Sequence, residues 1–429
     1  MRMHKPCTSD IQLEDVIHLS LQLGRLLLAN GADTTELQVA VTRFVAAFGC
    51  EAQLLVTYEA LTLTVLAGGR FRTKSGRHLP AMNVNMRTID ALNRVVDETE
   101  LRQLTTAQVR DRLDAVERSV PSHARWIVVV GLGLTAASLA KLLGGDWAVF
   151  SAAFVAGACG TWVRQELSRR RLNPFLIPFL TALISGVIGG LAATMCAAAM
   201  PTLCIIAPGL IVVPGVPLIN GIRDCITNHM TLGLARLSFA ALVMLAIAFG
   251  LFGAAIITGV RSPVDGNTQL PPIPLDALFS ALAVIGFVLL FNVPLRLCWA
   301  CVICGIASHT LRATLMQGGA GIVTGTFLGS LIAGLLSLIF ARRFRAPAAT
   351  FAFPGVVAMV PGSYAFRTVV GLLRILQAGV DSPAPLLAES ASLAIKTVLL
   401  TAAIAIGLAV PLAFGRMGAA FERAISSQE

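Results

Sequence analysis

The chain has 429 residues, of which 56% are hydrophobic and 13% charged, with a mean hydropathy of +0.78. A soluble domain carries about 25% charged residues, so an ordinary water-soluble fold is excluded for most of the sequence. Charge is unevenly spread: residues 1–125 hold 15 Lys+Arg and 14 Asp+Glu, against 18 and 9 in the other 304 positions. The formal net charge of +10 sits largely in short Arg-containing connectors between apolar runs, a pattern of membrane topology and not of a nucleic-acid surface. Cys159, Cys196, Cys204, Cys298, Cys301 and Cys304 lie in apolar segments and read as packing residues, not as disulfides or metal ligands. No metal or cofactor is expected.

The first residues, MRMHKPCTSDIQLEDV, contain no apolar run after their basic residues, so a cleaved signal peptide is not expected and residues 1–120 should form a cytoplasmic domain. That domain reads as α+β. Ser9-Asp10-Ile11-Gln12 resembles a capping box that opens a helix reaching about Asn30, with Val16, Leu19, Leu23, Leu26 and Leu27 on its apolar face. Asp33-Thr34-Thr35-Glu36 opens a second helix ending before Gly49. Strands follow at 51–58, 60–67 and 70–74, with Gly68-Gly69 as a turn, and then helices near 88–98 and 106–119. Asp33 and Glu36 are read as helix-capping groups before catalytic carboxylates. The domain has no nucleophile elbow, P-loop or metal spacing, which argues against hydrolysis and against ATP-driven transport.

A spanning helix needs about 20 largely apolar residues, and ten candidates follow: 126–143, 147–163, 175–197, 203–221, 237–259, 277–294, 297–311, 318–340, 350–373 and 391–415. The seventh is short unless it runs past Arg312. With the N-terminus inside, the inside loops carry Arg164, Arg169–Arg171, Arg223, Arg236, Arg296, Arg342, Arg343, Arg345, Arg416 and Arg423. The outside loops carry Asp146, Asp265, Asp276, Asp381 and Glu389, with Arg261 and Arg312 as exceptions. Ten spans with both termini in the cytoplasm satisfy the positive-inside rule. The proline-rich loop 261–275 divides them into units at 126–259 and 276–415, followed by a tail at 416–429. Five spans per unit make an inverted repeat the natural relation between the halves. The fold class is thus an all-α polytopic membrane protein with a small soluble α+β domain.

The halves share a signature in their fourth spans: Ala207-Pro208-Gly209 with Pro214-Gly215, and Phe353-Pro354-Gly355 with Pro361-Gly362. Proline removes a donor and glycine tolerates unusual dihedrals, so each pair should kink or unwind its helix. Backbone freed at membrane depth must be buried in protein or line a wet cavity. Paired interrupted helices therefore mark a transport site.

The stretch Leu26-Leu27-Leu28-Ala29-Asn30-Gly31-Ala32-Asp33-Thr34-Thr35-Glu36, running on to Phe48-Gly49, then Tyr58, the 61–65 strand and the Pro-Gly spans, resembles the threonine/serine exporter family. The resemblance covers essentially the whole chain. It implies proton-driven export of threonine and serine across a bacterial inner membrane, with split relatives associated with dicarboxylates such as succinate.

Ionisable groups in a membrane are costly and are functional candidates by default. Asn220, Arg223 and Asp224 follow the first break; Ser363, Tyr364 and Arg367 follow the second. Arg367 is assigned the substrate carboxylate, Asn220 or Ser363 its hydroxyl, and Asp224 its ammonium or a coupling proton. Against this, Arg223 and Asp224 are equally read as a structural salt bridge to each other. Lys396 is read as snorkelling to an interface, and His309 as bonded to a carbonyl before being a proton relay. The expected partners are a small-molecule substrate, protons and the bilayer, with no nucleic acid and with a homo-oligomer left open. The competing classes are a membrane-tethered hydrolase and a non-transporting scaffold.

Overall fold

The computed structural model describes residues 10–77, 84–119, 122–170, 172–260 and 270–426. Ser9 of the expected cap, Pro121, Arg171, Arg261, Pro263 and Asp265 lie outside the described residues. The chain divides into two compact units: Met1–Ser122, Asn220–Leu237 and Phe291–Pro294 form one, and His123–Ile219, Ser238–Leu290 and Leu295–Glu429 the other.

In the first unit, helices α1 (Asp10–Ala29) and α2 (Thr34–Ala46) precede strands β1 (Glu51–Val56), β2 (Ala60–Ala67) and β3 (Arg70–Arg77) and helices α3 (Met86–Arg102) and α4 (Thr106–Ser119). The sheet is an antiparallel meander in the order β1-β2-β3. Alternation sets its faces: Leu61, Leu63 and Val65 are buried with Val16, Leu19, Leu23 and Leu27 of α1. On the other face Thr62 and Thr64 hydrogen-bond Ser75 (3.1 Å) and Thr73 (2.8 Å). Gly68 and Gly69 both have positive φ (+56° and +78°), which a two-residue turn between twisted strands demands. β3 runs three residues beyond the expected strand because its ladder continues until Arg77 faces Ala60. α3 starts at Met86, two residues before its expected start, where the Asn85 side chain caps the Thr88 N–H at 3.2 Å.

The apolar region supplies α5 (Arg125–Leu142), α6 (Trp147–Arg169), α7 (Leu176–Met195), α8 (Pro201–Leu210), α9 (Gly215–Ile226), α10 (Met230–Thr258), α11 (Ile273–Leu290), α12 (Cys298–Gln317), α13 (Ile322–Phe344), α14 (Ala349–Val356), α15 (Gly362–Ala378) and α16 (Ala384–Ser426). Among the described residues seven helices are long and apolar enough to cross a membrane, and nine if the bent pairs α8/α9 and α14/α15 each count as a span. The remaining member of the expected ten, α6, has the length, but its last turns carry Arg164, Glu166 and Arg169. Several boundaries differ from expectation. α10 starts at Met230 and α16 at Ala384, each seven residues early, so Arg236 and Glu389 are helix residues and not loop charges. α12 runs on to Gln317, so Arg312 is a helix residue and not a loop charge; α16 continues to Ser426, through the segment expected as a tail. In the long uncharged run, α8 begins at Pro201 and α9 directly after Pro214.

Small residues let the helices of the second unit approach closely, as membrane helices require in the absence of a water-driven hydrophobic force. At the crossing of α5 and α11 the Thr135 hydroxyl donates to Gly131 O and Ala283 O, both at 3.1 Å. The two halves repeat a packing detail. A methyl on Gly250 of α10 would lie 2.5 Å from Phe179 O of α7, and one on Gly407 of α16 would lie 2.7 Å from Phe327 O of α13. Cys298, Cys301 and Cys304 are spaced C-x-x-C-x-x-C along α12, and none of the three is in a disulfide. Among the described residues no group of three or more His, Cys, Asp or Glu is placed to hold a metal ion.

Asp146 caps α6, its carboxylate accepting from the Val149 N–H (2.7 Å) and the Ala199 N–H (3.2 Å). The Val149 bond, ahead of the Ala199 one, holds its carboxyl below the usual carboxylate range. A depressed carboxyl stabilises the fold above its unfolded pKa, and that contribution is lost as pH falls through the folded value. Asp146→Ala is expected to cost about 1 kcal/mol at neutral pH, read as a lower Tm in detergent. The difference from wild type should close in strong acid, below the depressed pKa of the carboxyl.

Candidate functional site

Of the two Pro-Gly pairs in each half, the first lies inside a helix and the second breaks it. Pro208 and Pro354 sit within α8 and α14, where each deprives the carbonyl four residues earlier of its N–H partner. The Thr350 carbonyl is taken up by the Cys301 thiol at 3.3 Å, and the Gly355 carbonyl by the Ser308 hydroxyl at 2.7 Å. The Cys204 carbonyl faces Gly189 so closely that a methyl there would lie 2.0 Å from it. At Pro214-Gly215 the chain turns by 59° from α8 into α9, and at Pro361-Gly362 by 44° from α14 and its short 3₁₀ turn, Val357–Met359, into α15.

The two breaks pack against each other reciprocally. A methyl on Gly215 would meet Val357 and Val360 at 3.1 and 3.3 Å, and a methyl on Gly362 would meet Val213 and Leu210 at 2.8 and 3.0 Å. Val213 and Leu210 precede Pro214 by one and four residues, and Val360 and Val357 precede Pro361 by the same steps. Contacts of i with j matched by j′ with i′ are the mark of an isologous interface.

Beside the second break lies a cavity of about 80 Å³ with room for several waters. Its polar lining is His309, Arg312, Ser363 and Tyr364, and its walls include Leu139, Leu210 and Pro361. His309 Nδ1 is 2.9 and 3.0 Å from the two carboxylate oxygens of Asp276, which is fully buried at the start of α11. This replaces both the carbonyl partner expected for His309 and the outside-loop position expected for Asp276. Arg312 lines the cavity beside Tyr364, and its Nε has no hydrogen-bond partner among the described residues. Arg367 is 9% exposed and its Nε is likewise without a partner, but it does not line this cavity. Sequence reasoning missed Arg312 and Asp276 because both fell just outside apolar windows. Lys396, expected at an interface, is exposed on α16.

The candidates from the first half gather elsewhere, in the first unit. Arg223 does not pair with Asp224: its Nη2 bonds Asp33 Oδ2 at 3.0 Å, while Asp224 Oδ2 accepts from Arg236 Nη1 at 2.7 Å. Asp33 therefore does two things, since its Oδ1 also caps α2 by accepting from the Glu36 N–H at 2.8 Å. Asn220 donates to Gly31 O (3.0 Å), Arg236 Nη2 to Ala32 O (2.9 Å), and the Thr34 N–H to Asp224 Oδ1 (3.3 Å). Gly31 has φ +97°, which turns the chain off the end of α1 and leaves its carbonyl facing the Asn220 amide and that of Ala32 facing the Arg236 guanidinium. Asp33, Arg223, Asp224 and Arg236 are 4%, 6%, 1% and 2% exposed. Removing one member of a buried pair strands the other, at a cost of about 3–5 kcal/mol. Burial pushes the Tyr58 hydroxyl up, opposed by the nearby Arg236 charge.

Interrupted helices meeting break to break beside a polar cavity within a bundle of apolar helices make this a polytopic membrane protein built as solute carriers are. A family profile described as "Putative threonine/serine exporter" matches residues 18–258, and a second, "Threonine/Serine exporter, ThrE", matches residues 276–414. The chain belongs to the threonine/serine exporter family, a family of transporters and not of enzymes. It is 26% identical to the "Probable threonine/serine exporter" of Mycobacterium tuberculosis, over 95% of this chain and 78% of that protein. It is 30% identical to the "Probable succinate transporter subunit YjjP" of Escherichia coli, over 58% of this chain and 97% of that protein. The protein of the same description from Klebsiella aerogenes is 29% identical, over 57% and 95%. No solved structure matches the chain significantly.

Proposed function

We propose that the protein exports threonine and serine across the inner membrane in exchange for protons, with both termini in the cytoplasm. In this reading a soluble domain at 1–120 precedes two inverted five-helix units at 126–259 and 276–415. The observation that carries the reading is the cavity at the second break, where Arg312, His309, Ser363 and Tyr364 converge. These groups suit an amino acid of this kind. A guanidinium takes the carboxylate, a hydroxyl from Ser363 or Tyr364 meets the substrate hydroxyl, and the substrate ammonium competes with a proton on His309. Two positive charges about 4 Å apart repel by about 4 kcal/mol at an effective dielectric of 20. The cavity thus holds the ammonium or the imidazolium, not both, which is the condition for exchange. The reciprocal packing of Gly215 and Gly362 supports the inverted repeat. Of the earlier candidates, Ser363, Tyr364, Pro361 and Gly362 stay in the proposed site, while Asn220, Arg223 and Asp224 are given another role below.

One observation favours a dicarboxylate instead: the second half holds two arginines, half-buried Arg312 and buried Arg367, each with a buried Nε lacking a partner among the described residues. Two cations suit two carboxylates. Efflux of labelled threonine, serine and succinate from preloaded cells separates the readings. The proposal expects threonine and serine efflux that collapses with an uncoupler and survives ATP depletion. Succinate efflux alone moves the assignment to dicarboxylates; efflux that follows ATP and ignores the uncoupler overturns proton exchange.

A further inference from the structure

We propose that the buried cluster of Asp33, Arg223, Asp224 and Arg236 is a permanent coupling that fixes the soluble domain to the α9–α10 connection, so that domain and connection move as one piece through the transport cycle. The chain makes the consequence direct. α9 starts at the Pro214-Gly215 break and its last turns, from Asn220 onward, belong to the first unit. Whatever moves α9 at its break therefore carries the soluble domain with it.

The alternative is a latch that opens and closes, and the composition of the cluster decides against it. Two cations and two anions balance, all four are at least nine-tenths buried, and each has a partner at 3.0 Å or less. Backbone groups of the same turn add three further bonds, from Asn220 and Arg236 to the carbonyls of Gly31 and Ala32 and from the Thr34 N–H to Asp224. Opening would expose four charges at once with nothing among the described residues to receive them. A switch is built the other way, with one weak or titrating contact that a ligand or a proton tips. A second tie joins the same domain to the connection before α12: the Met86 N–H donates to Phe291 O at 2.8 Å and Asn292 Nδ2 to Asn85 Oδ1 at 3.0 Å. The domain thus grips the chain at two loops, and the four-charge cluster is the stronger hold. In α15, five residues past its own break, Arg367 takes the place that Asn220 holds in α9.

The functional arm rests on the transport reading; a structural arm does not. Arg223→Ala should lower efflux at least tenfold at equal membrane insertion, and the exchanged pair Asp33→Arg with Arg223→Asp should recover part of it; Arg223→Ala at wild-type rate overturns the proposal. For the structural arm, amide hydrogen exchange is measured on purified wild-type protein with and without threonine and serine. Residues 31–34 and 220–237 should stay protected throughout and lose protection together in Arg223→Ala; loss of protection on adding a solute overturns the proposal, whether or not efflux is ever seen.

Discussion

Arg312→Gln should reduce threonine efflux by roughly a hundredfold while leaving insertion and Tm near wild type. Hydrogen bonds to charged groups are worth about 1.5–3 kcal/mol each, and about 1.4 kcal/mol corresponds to tenfold, so losing a two-pronged grip on a carboxylate has an effect of that size. The fold should tolerate the change because the Arg312 Nε has no partner to strand among the described residues. Arg312→Lys keeps the charge but not the planar fork and should fall between the two. Arg367→Gln separates the substrate classes. For an amino acid with one carboxylate its effect should stay below tenfold, because Arg367 does not line the cavity. For a dicarboxylate it should match Arg312→Gln. Efflux assays on both variants with threonine and succinate read this out directly. Wild-type efflux in Arg312→Gln would remove the cavity from the transport path.

What a single sequence discloses about this protein is what neighbours along the chain decide. The alternation of Leu61, Leu63 and Val65, the Gly68-Gly69 turn and the capping role of Asp33 are all settled within four residues, and each is readable. So is the repeated Pro-Gly signature, although not which pair of each half breaks its helix. Pro208 and Pro354 remain helical with partners from elsewhere in the chain: the Cys301 thiol donates to the Thr350 carbonyl, and the Cys204 carbonyl packs where only a glycine, Gly189, leaves room. Neither neighbour is local.

The candidate site was less legible for the same reason. Asp33 and Arg223 are 190 residues apart, and nothing in the spacing of Arg223-Asp224 reveals that the two adjacent side chains serve different partners. Hydropathy misplaced Arg312 and Asp276, since a charged residue at the end of an apolar window looks like a loop residue. In the fold, α12 continues a further turn beyond Arg312, and Asp276 is buried against the histidine of that same helix.

The Asp276–His309 pair leads to the second large effect. A carboxylate with 0% exposure needs a donor at hand, and His309 Nδ1 lies 2.9 Å from it. Of the other ionisable groups, Arg312 and Tyr364 line the same cavity as His309, whereas Lys141 lies over the Trp147 and Phe279 rings. When a substrate carboxylate engages Arg312 and its ammonium enters the cavity, the proton on His309 becomes the charge that must leave. Asp276→Asn removes the anion that faces the imidazole, and the amide oxygen still accepts a hydrogen bond from it. In proteoliposomes, threonine movement driven by an imposed pH gradient should therefore fall at least tenfold, whereas threonine–threonine exchange at equal pH should stay within about threefold of wild type. His309→Gln should behave alike. Retention of gradient-driven movement in Asp276→Asn would place the coupling proton elsewhere. Equal loss of both activities would make the pair structural, because a pair that only holds α11 to α12 has no means of distinguishing exchange from driven transport.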